Sequence, residues 1–127
     1  MDLSSKTAVV TGAGQGVGLG IASAMAKKGA KVAMLGRTFS KVKNESSKLN
    51  EAGFETLALE CDVKDPDSIS NAQGEIKKIF GPVDVLINNA QEVPLGSILD
   101  VTDEAINAGW ESGPLATFRL MKLFYED

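Results

Sequence analysis

The stretch Thr11-Gly12-Ala13-Gly14-Gln15-Gly16-Val17-Gly18 limits what this chain can fold into more than any other. It follows the apolar run Thr7-Ala8-Val9-Val10 and opens a helical pattern that runs through Ile21 and Met25. Strand, glycine-rich turn and helix, in that order, form an arrangement suited to holding phosphates. Without a side chain at Gly12 the backbone can turn sharply off the strand. Without one at Gly16 it can lie against a diphosphate, and without one at Gly18 the helix can sit close to the sheet. The helix's first N–H groups and positive dipole end then attract the anion. The same glycines also suit a connection that binds nothing, so the reading turns on residues further along.

Strand and helix patterns alternate from end to end, which predicts parallel βαβ units. Lys27-Lys28-Gly29 closes the first helix, and Lys31 to Gly36 reads as a strand apolar on both faces. Ser40 is placed to cap a helix from Lys41 to about Ala52, with Val42, Leu49 and Ala52 as its buried stripe. Thr56 to Cys61 gives a third strand. Asp65-Pro66 then supplies an N-cap followed by proline at the first helical position. Ile69, Ala72, Ile76, Ile79 and Phe80 follow at helical spacing until Gly81-Pro82. Val83 to Asn88 is a fourth strand, with the Asn88 amide expected to cross-link backbone groups of adjacent strands. A loop from Asn89 to about Asp100 leads into a last helix near Thr102. Gly113-Pro114 inside that helix predicts a kink or break, because the proline ring crowds the Trp110 carbonyl.

The expected fold class is α/β: a Rossmann-type doubly wound parallel sheet, here its first four strands in order 3-2-1-4, with helices on both faces. Residues 1–127 are read as a single partial domain of that kind. The switch point then falls between strands one and four, where Gly12 to Gly18 meets Asn88 to Gln91.

Composition removes several function classes. With 43% apolar and 24% charged residues the chain is ordinary for a globular domain. Its net charge of −4, unbroken by a basic cluster, argues against nucleic acid as a partner. No apolar run approaches the ~20 residues of a membrane span, so no membrane partner is expected either. The lack of histidine and the single Cys61 argue against a zinc or haem site and suit a reducing, cytoplasmic setting. Cys61 itself reads as a small buried apolar residue.

Three pieces together make the sequence resemble the short-chain dehydrogenase/reductase family: Thr11 to Gly18, Cys61-Asp62-Val63, and Val83-Asp84-Val85-Leu86-Ile87-Asn88-Asn89-Ala90. The resemblance runs from about Lys6 onward and implies NAD or NADP binding, with hydride transfer to or from a small carbonyl or alcohol. It places Gly12, Gln15, Gly16, Val17 and Gly18 along the diphosphate and the adenosine side. Asp62 and Val63 would lie against the adenine, and Asn89 and Ala90 along the ribose. For Asp62 the alternative is a turn or cap residue ahead of Asp65-Pro66. An NAD site wants an acidic side chain about 20 residues after the glycines. Here Gly36-Arg37-Thr38 stands instead, and a guanidinium can fork onto a 2′-phosphate. NADP is therefore preferred to NAD. A solvated arginine starting a loop is the alternative for Arg37.

The resemblance also shows what is missing. The family's chemistry uses a serine and a tyrosine–x–x–x–lysine arrangement beyond a fifth strand, and this sequence ends at Asp127. Tyr125 reads as an ordinary helix residue. The family asparagine that kinks the fourth helix and helps a proton relay aligns with Gly113. Gln91 stands where the family's strand-four motif has glycine, and Ser112 is a candidate to hold a water. The expectation is the cofactor-binding half of an oxidoreductase, assembled as a homo-oligomer and inactive by itself. A non-catalytic nucleotide-binding or interaction module is the alternative. An unpaired strand-four edge and an exposed Leu115, Phe118 and Phe124 surface would make the isolated chain self-associate.

Overall fold

The computed structural model describes residues 1–126. Among them, β1 (Thr7–Thr11), β2 (Lys31–Gly36), β3 (Thr56–Glu60) and β4 (Val85–Ile87) form one parallel sheet in the order β3-β2-β1-β4. The helices are α1 (Gly16–Lys27), α2 (Phe39–Glu51), α3 (Pro66–Phe80), α4 (Asp103–Trp110) and α5 (Ala116–Phe124). Every strand pair is parallel, with Val9 of β1 beside Ala33 of β2 and Leu86 of β4.

Successive residues of a strand face opposite sides of the sheet, and both sides here are buried. Val9, Ala33 and Leu35 pack under Ile69, Ala72 and Ile76 of α3 and under Ala116, Leu120 and Phe124 of α5. Ala8, Val10, Val32 and Met34 face the other way, onto Ala22 and Ala26 of α1 and Val42 of α2. The small residues on α1 let it lie close to the strands. Continuous apolar strands between two helical layers are what the βαβ alternation predicts.

Several local expectations change. Ser40 is not the cap of α2: the helix begins at Phe39, and the Thr38 carbonyl accepts from the N–H groups of Lys41 and Val42. Ala52 is exposed just past the helix end, and the buried polar residue of that face is Ser46, whose hydroxyl lies 2.6 Å from that of Thr56. Ile79 is also exposed, because α3 turns it off the sheet. Asp65 caps α3 as expected, accepting from the Asp67 N–H at 3.0 Å. The fourth strand is shorter than its apolar run. Asp84 stays outside it, with its carboxylate accepting from the Thr7 N–H at 2.9 Å.

Gly113-Pro114 does not break the last helix. Residues Glu111–Leu115 form one π turn joining α4 to α5, and the Ala116 N–H donates to the Glu111 carbonyl five residues back. The wider turn accommodates a proline, which has no N–H to give to Trp110. It also fixes the register of both helices. No residue of α4 is buried, whereas Ala116, Leu120 and Phe124 of α5 are, so α5 anchors α4. Phe124 therefore belongs to the core and Leu115 is half-buried, while Phe118 stays exposed.

Candidate functional site

A cleft of about 380 Å³ opens at the carboxyl ends of the strands, over the switch point between β1 and β4. Its floor is a close junction. Gly12 has φ +63°, in the left-handed region glycine favours, and a Cβ there would lie 3.0 Å from the Ala90 Cα. A Cβ on Gly18 would lie 2.1 Å from the Gly12 carbonyl oxygen and 2.5 Å from the Asn89 side-chain nitrogen. Gly18 is thus where α1 touches the end of β1. Gly16 has φ +58°, yet a Cβ there would meet nothing within 4 Å, so its backbone faces open space.

Thr11 ties the floor together. Its buried hydroxyl accepts from the Asn89 and Ala90 N–H groups at 3.0 and 2.9 Å and donates to the Ile87 carbonyl at 3.4 Å. The Asn89 amide donates to the Thr11 and Gly12 carbonyls at 3.1 and 3.2 Å. The cross-linking expected of Asn88 therefore belongs to Asn89. Asn88 is the first residue past β4 and is exposed, and only the next side chain points back at β1.

Above the floor, α1 presents its amino end. Gln15 precedes the helix in an extended conformation and makes no side-chain cap. Its amide oxygen instead accepts from the Lys41 ammonium at 3.1 Å. The N–H groups of a helix's first turn have no intrahelical acceptor. Uncapped N–H groups beside the open face of Gly16 fit a diphosphate in size, charge and approach.

Three loops make the rim. Arg37 follows β2, Lys64 lies between β3 and α3, and Glu92 lies between β4 and α4. Glu92 Oε1 receives Arg37 Nη1, and also Lys64 Nζ at 2.6 Å. The hydrogen bond from Lys64 holds the Glu92 carboxyl below its ordinary pKa, with the charges of Lys64 and Arg37 adding to it and partial desolvation opposing. Ser112, buried by the π turn, accepts from the Glu92 N–H at 2.8 Å and reaches the Gly109 carbonyl at 3.4 Å. Its hydroxyl thus ties the loop after β4 to the π turn. Gln91 lies over Gly113, where a Cβ would come 2.9 Å from the Gln91 side-chain nitrogen. The two departures from the family pattern meet at this point, the loop side chain filling the space left by the missing helix side chain.

Of the sequence candidates, Gly12, Gln15, Gly16, Arg37, Thr38, Asp62, Val63, Asn89 and Ala90 all line the cleft. Val17 and Gly18 do not. Val17 is 73% exposed on the outer side of α1, and Gly18 is buried at the helix–strand contact. Asp62 does make a turn, its Oδ1 accepting from the Lys64 N–H at 3.0 Å, while its own N–H donates to the Ser68 hydroxyl. Cys61 is buried as expected, and that burial pushes its thiol pKa up. Sequence reasoning missed Lys41, Lys64 and Glu92. Their charges stand on separate loops with no local pattern. The signal that could have found them is topological, since loops after neighbouring parallel strands share one end of the sheet.

A doubly wound parallel sheet with a glycine turn at its switch point defines a dinucleotide-binding class of protein. The family model described as short chain dehydrogenase matches residues 6–127, and the chain belongs to that family. The oxidoreductase UcpA of Escherichia coli is 38% identical over 102 residues, covering 80% of this chain and 38% of that protein. The peroxisomal 2,4-dienoyl-CoA reductase of Danio rerio is 32% identical over 98% of this chain and 42% of its own length. Among solved structures, L-sorbose reductase from Gluconobacter frateurii, complexed with NADPH and L-sorbose, matches with a TM-score of 0.93 and 31% identity. That match covers 99% of this chain and 48% of the reductase. The chain thus spans half or less of the length of these relatives. Among the described residues no helix is long and apolar enough to cross a membrane, and no cluster of His, Cys, Asp and Glu could hold a metal ion.

Proposed function

We propose that residues 1–127 form a partial Rossmann domain, the cofactor-binding half of an NADP-preferring reductase acting on a small carbonyl or alcohol. The bound dinucleotide would supply or accept the hydride. The protein's own share is binding and orientation. Backbone groups from Gly12 to Gly16 hold the diphosphate, with Gly18 letting α1 lie close enough to present them, while Asp62 and Val63 flank the adenine and Asn89 and Ala90 line the ribose. Arg37, with Thr38 beside it, takes the 2′-phosphate.

One observation carries the cofactor preference. Arg37 projects onto the cleft at the end of β2, 60% exposed, where an NAD site would present a carboxylate. That L-sorbose reductase was solved with NADPH lends support to the same reading. Titration of the protein with NADPH and NADH tests it. NADPH should bind at least ~10-fold tighter, the worth of a charge-assisted pair. Arg37→Asp should abolish that margin. Equal binding of the two cofactors by the unaltered protein overturns the preference.

On this reading the 127 residues bind without turning over. Tyr125 is 86% exposed at the end of α5 and does not line the cleft, so it supplies no proton to a substrate there. The reading also includes a homo-oligomer. Ile106, Trp110, Phe118 and Met121 lie exposed along α4 and α5, and Leu95, Ile98 and Leu99 lie exposed on the preceding loop. Apolar surface of that kind marks contact sites. Light scattering on the isolated chain should show self-association, and a monodisperse monomer would end that part of the reading.

A further inference from the structure

The three charges at the rim have no part in the assignments above, apart from Arg37. Their geometry is specific: one atom, Glu92 Oε1, takes hydrogen bonds from both Arg37 and Lys64. The two cations come from loops after neighbouring strands, so the sheet and not a shared helix brings them to one point. Across the whole cleft Arg37, Lys41 and Lys64 face two carboxylates, Asp62 and Glu92, in a chain whose net charge is −4. The fold gathers positive charge here against its own composition.

We propose that Lys64 is the second cation of the 2′-phosphate site, and that the Glu92 carboxylate is a stand-in anion which the phosphate displaces. This rests on the NADP reading. A phosphate monoester carries about −1.5 to −2 charges near neutrality and offers three acceptor oxygens. A carboxylate carries one charge and two oxygens. Both ligands suit a guanidinium and an ammonium converging on one point, and the phosphate suits them better. Exchange needs only a side-chain swing, because the Glu92 backbone is fixed separately by its N–H bond to the buried Ser112. The 2′-hydroxyl of NAD has no charge with which to displace Glu92. The carboxylate therefore weakens NADP binding while leaving NAD binding nearly untouched, and it keeps the two cations gathered while the site is empty.

The test is titration of NADPH and NADH into the unaltered protein, Glu92→Gln, Lys64→Gln and the double variant, with thermal melts confirming that each is folded. Glu92→Gln should bind NADPH about three- to tenfold tighter, the worth of two partly exposed ion pairs, and NADH within about twofold of the unaltered protein. Adding Lys64→Gln to Glu92→Gln should weaken NADPH about tenfold and again leave NADH nearly unchanged. If Glu92→Gln leaves NADPH binding unaltered or weakens it, the stand-in role is overturned. If Lys64→Gln has no effect in the Glu92→Gln background, the second-cation role is overturned. An unaltered protein that binds NADH as well as NADPH brings down the NADP reading itself. One that prefers NADPH, but whose variants do not respond, brings down this inference alone.

Discussion

At the floor of the cleft a Cβ on Gly18 would sit 2.1 Å from a backbone oxygen, whereas at the rim Arg37, Lys64 and Glu92 meet through side chains that are 60%, 25% and 31% exposed. The floor is held by contacts that cannot move without the helix or strand moving with them. The rim is held by charges that can change partners. Close-packed interiors respond to a single added methyl group, but exposed ion pairs are worth about 0–1 kcal/mol each. On the proposed reading the contrast separates two tasks: the floor would set whether any dinucleotide can lie across the switch point, and the rim would set which one. Substitutions in the floor should therefore cost stability and binding together, and those in the rim should alter cofactor choice in a protein that still folds.

Gly18→Ala should have the largest effect. The added methyl collides with the Gly12 carbonyl and the Asn89 amide, so α1 must back away from β1. Overpacking of this kind costs about 3 kcal/mol or more, or roughly 10 °C in melting temperature for a domain of this size. Binding of NADPH and NADH should fall in parallel. Normal stability, or loss of only one cofactor, would break the division between floor and rim. Thr11→Val keeps the shape but removes the acceptor for two partly buried N–H groups. Calorimetry should show a loss of about 2 kcal/mol, again with both cofactors weakened alike.

Much of the floor was legible in the sequence, and the reason is local. Gly12, Gly16 and Gly18 sit within seven residues, and the strand before them and the helix after them are continuous patterns. Strand order followed from handedness rules and the fold class held. What was not legible needed distant residues placed together. Asn88 and Asn89 are adjacent and chemically identical, and only the end of β4 at Ile87 decides which one turns back to β1. Lys64 and Glu92 are 28 positions apart in sequence, with no periodicity linking them. The π turn at Gly113-Pro114 was visible only as a disturbance, because proline's effect on a helix depends on whether the turn around it can widen.

A smaller effect tests a contact beside the rim, between the loop after β4 and the π turn. The loop residue Gln91 occupies the room that a side chain at Gly113 would need, and the atom nearest to it is the mobile end of the amide. Gly113→Asn should then push Gln91 aside at a cost of about 1 kcal/mol. In a Gln91→Gly background the same change should cost nothing. The coupling from the double-mutant cycle should be about 1 kcal/mol, within the usual range for touching residues. Additive effects would mean that the two positions do not share this space.

The smallest expected effect belongs to the rim and depends on pH. Glu92 has its pKa lowered from 4.5 by the hydrogen bond from Lys64, helped by the charges of Lys64 and Arg37. Between that ordinary value and the lower folded one, the unfolded chain binds more protons at this site than the folded chain does. Stability from the bridge is therefore fully present above pH 4.5 and lost as pH falls through the folded value. Solvent around the pair keeps the contribution below about 1 kcal/mol. Melting curves of the protein and of Glu92→Gln should differ slightly at neutral pH and converge on acidification. Added salt should shrink the neutral-pH difference as well, because exposed charges are screened. A gap that persists in high salt would mean that Glu92 acts through packing, and the rim would then resemble the floor.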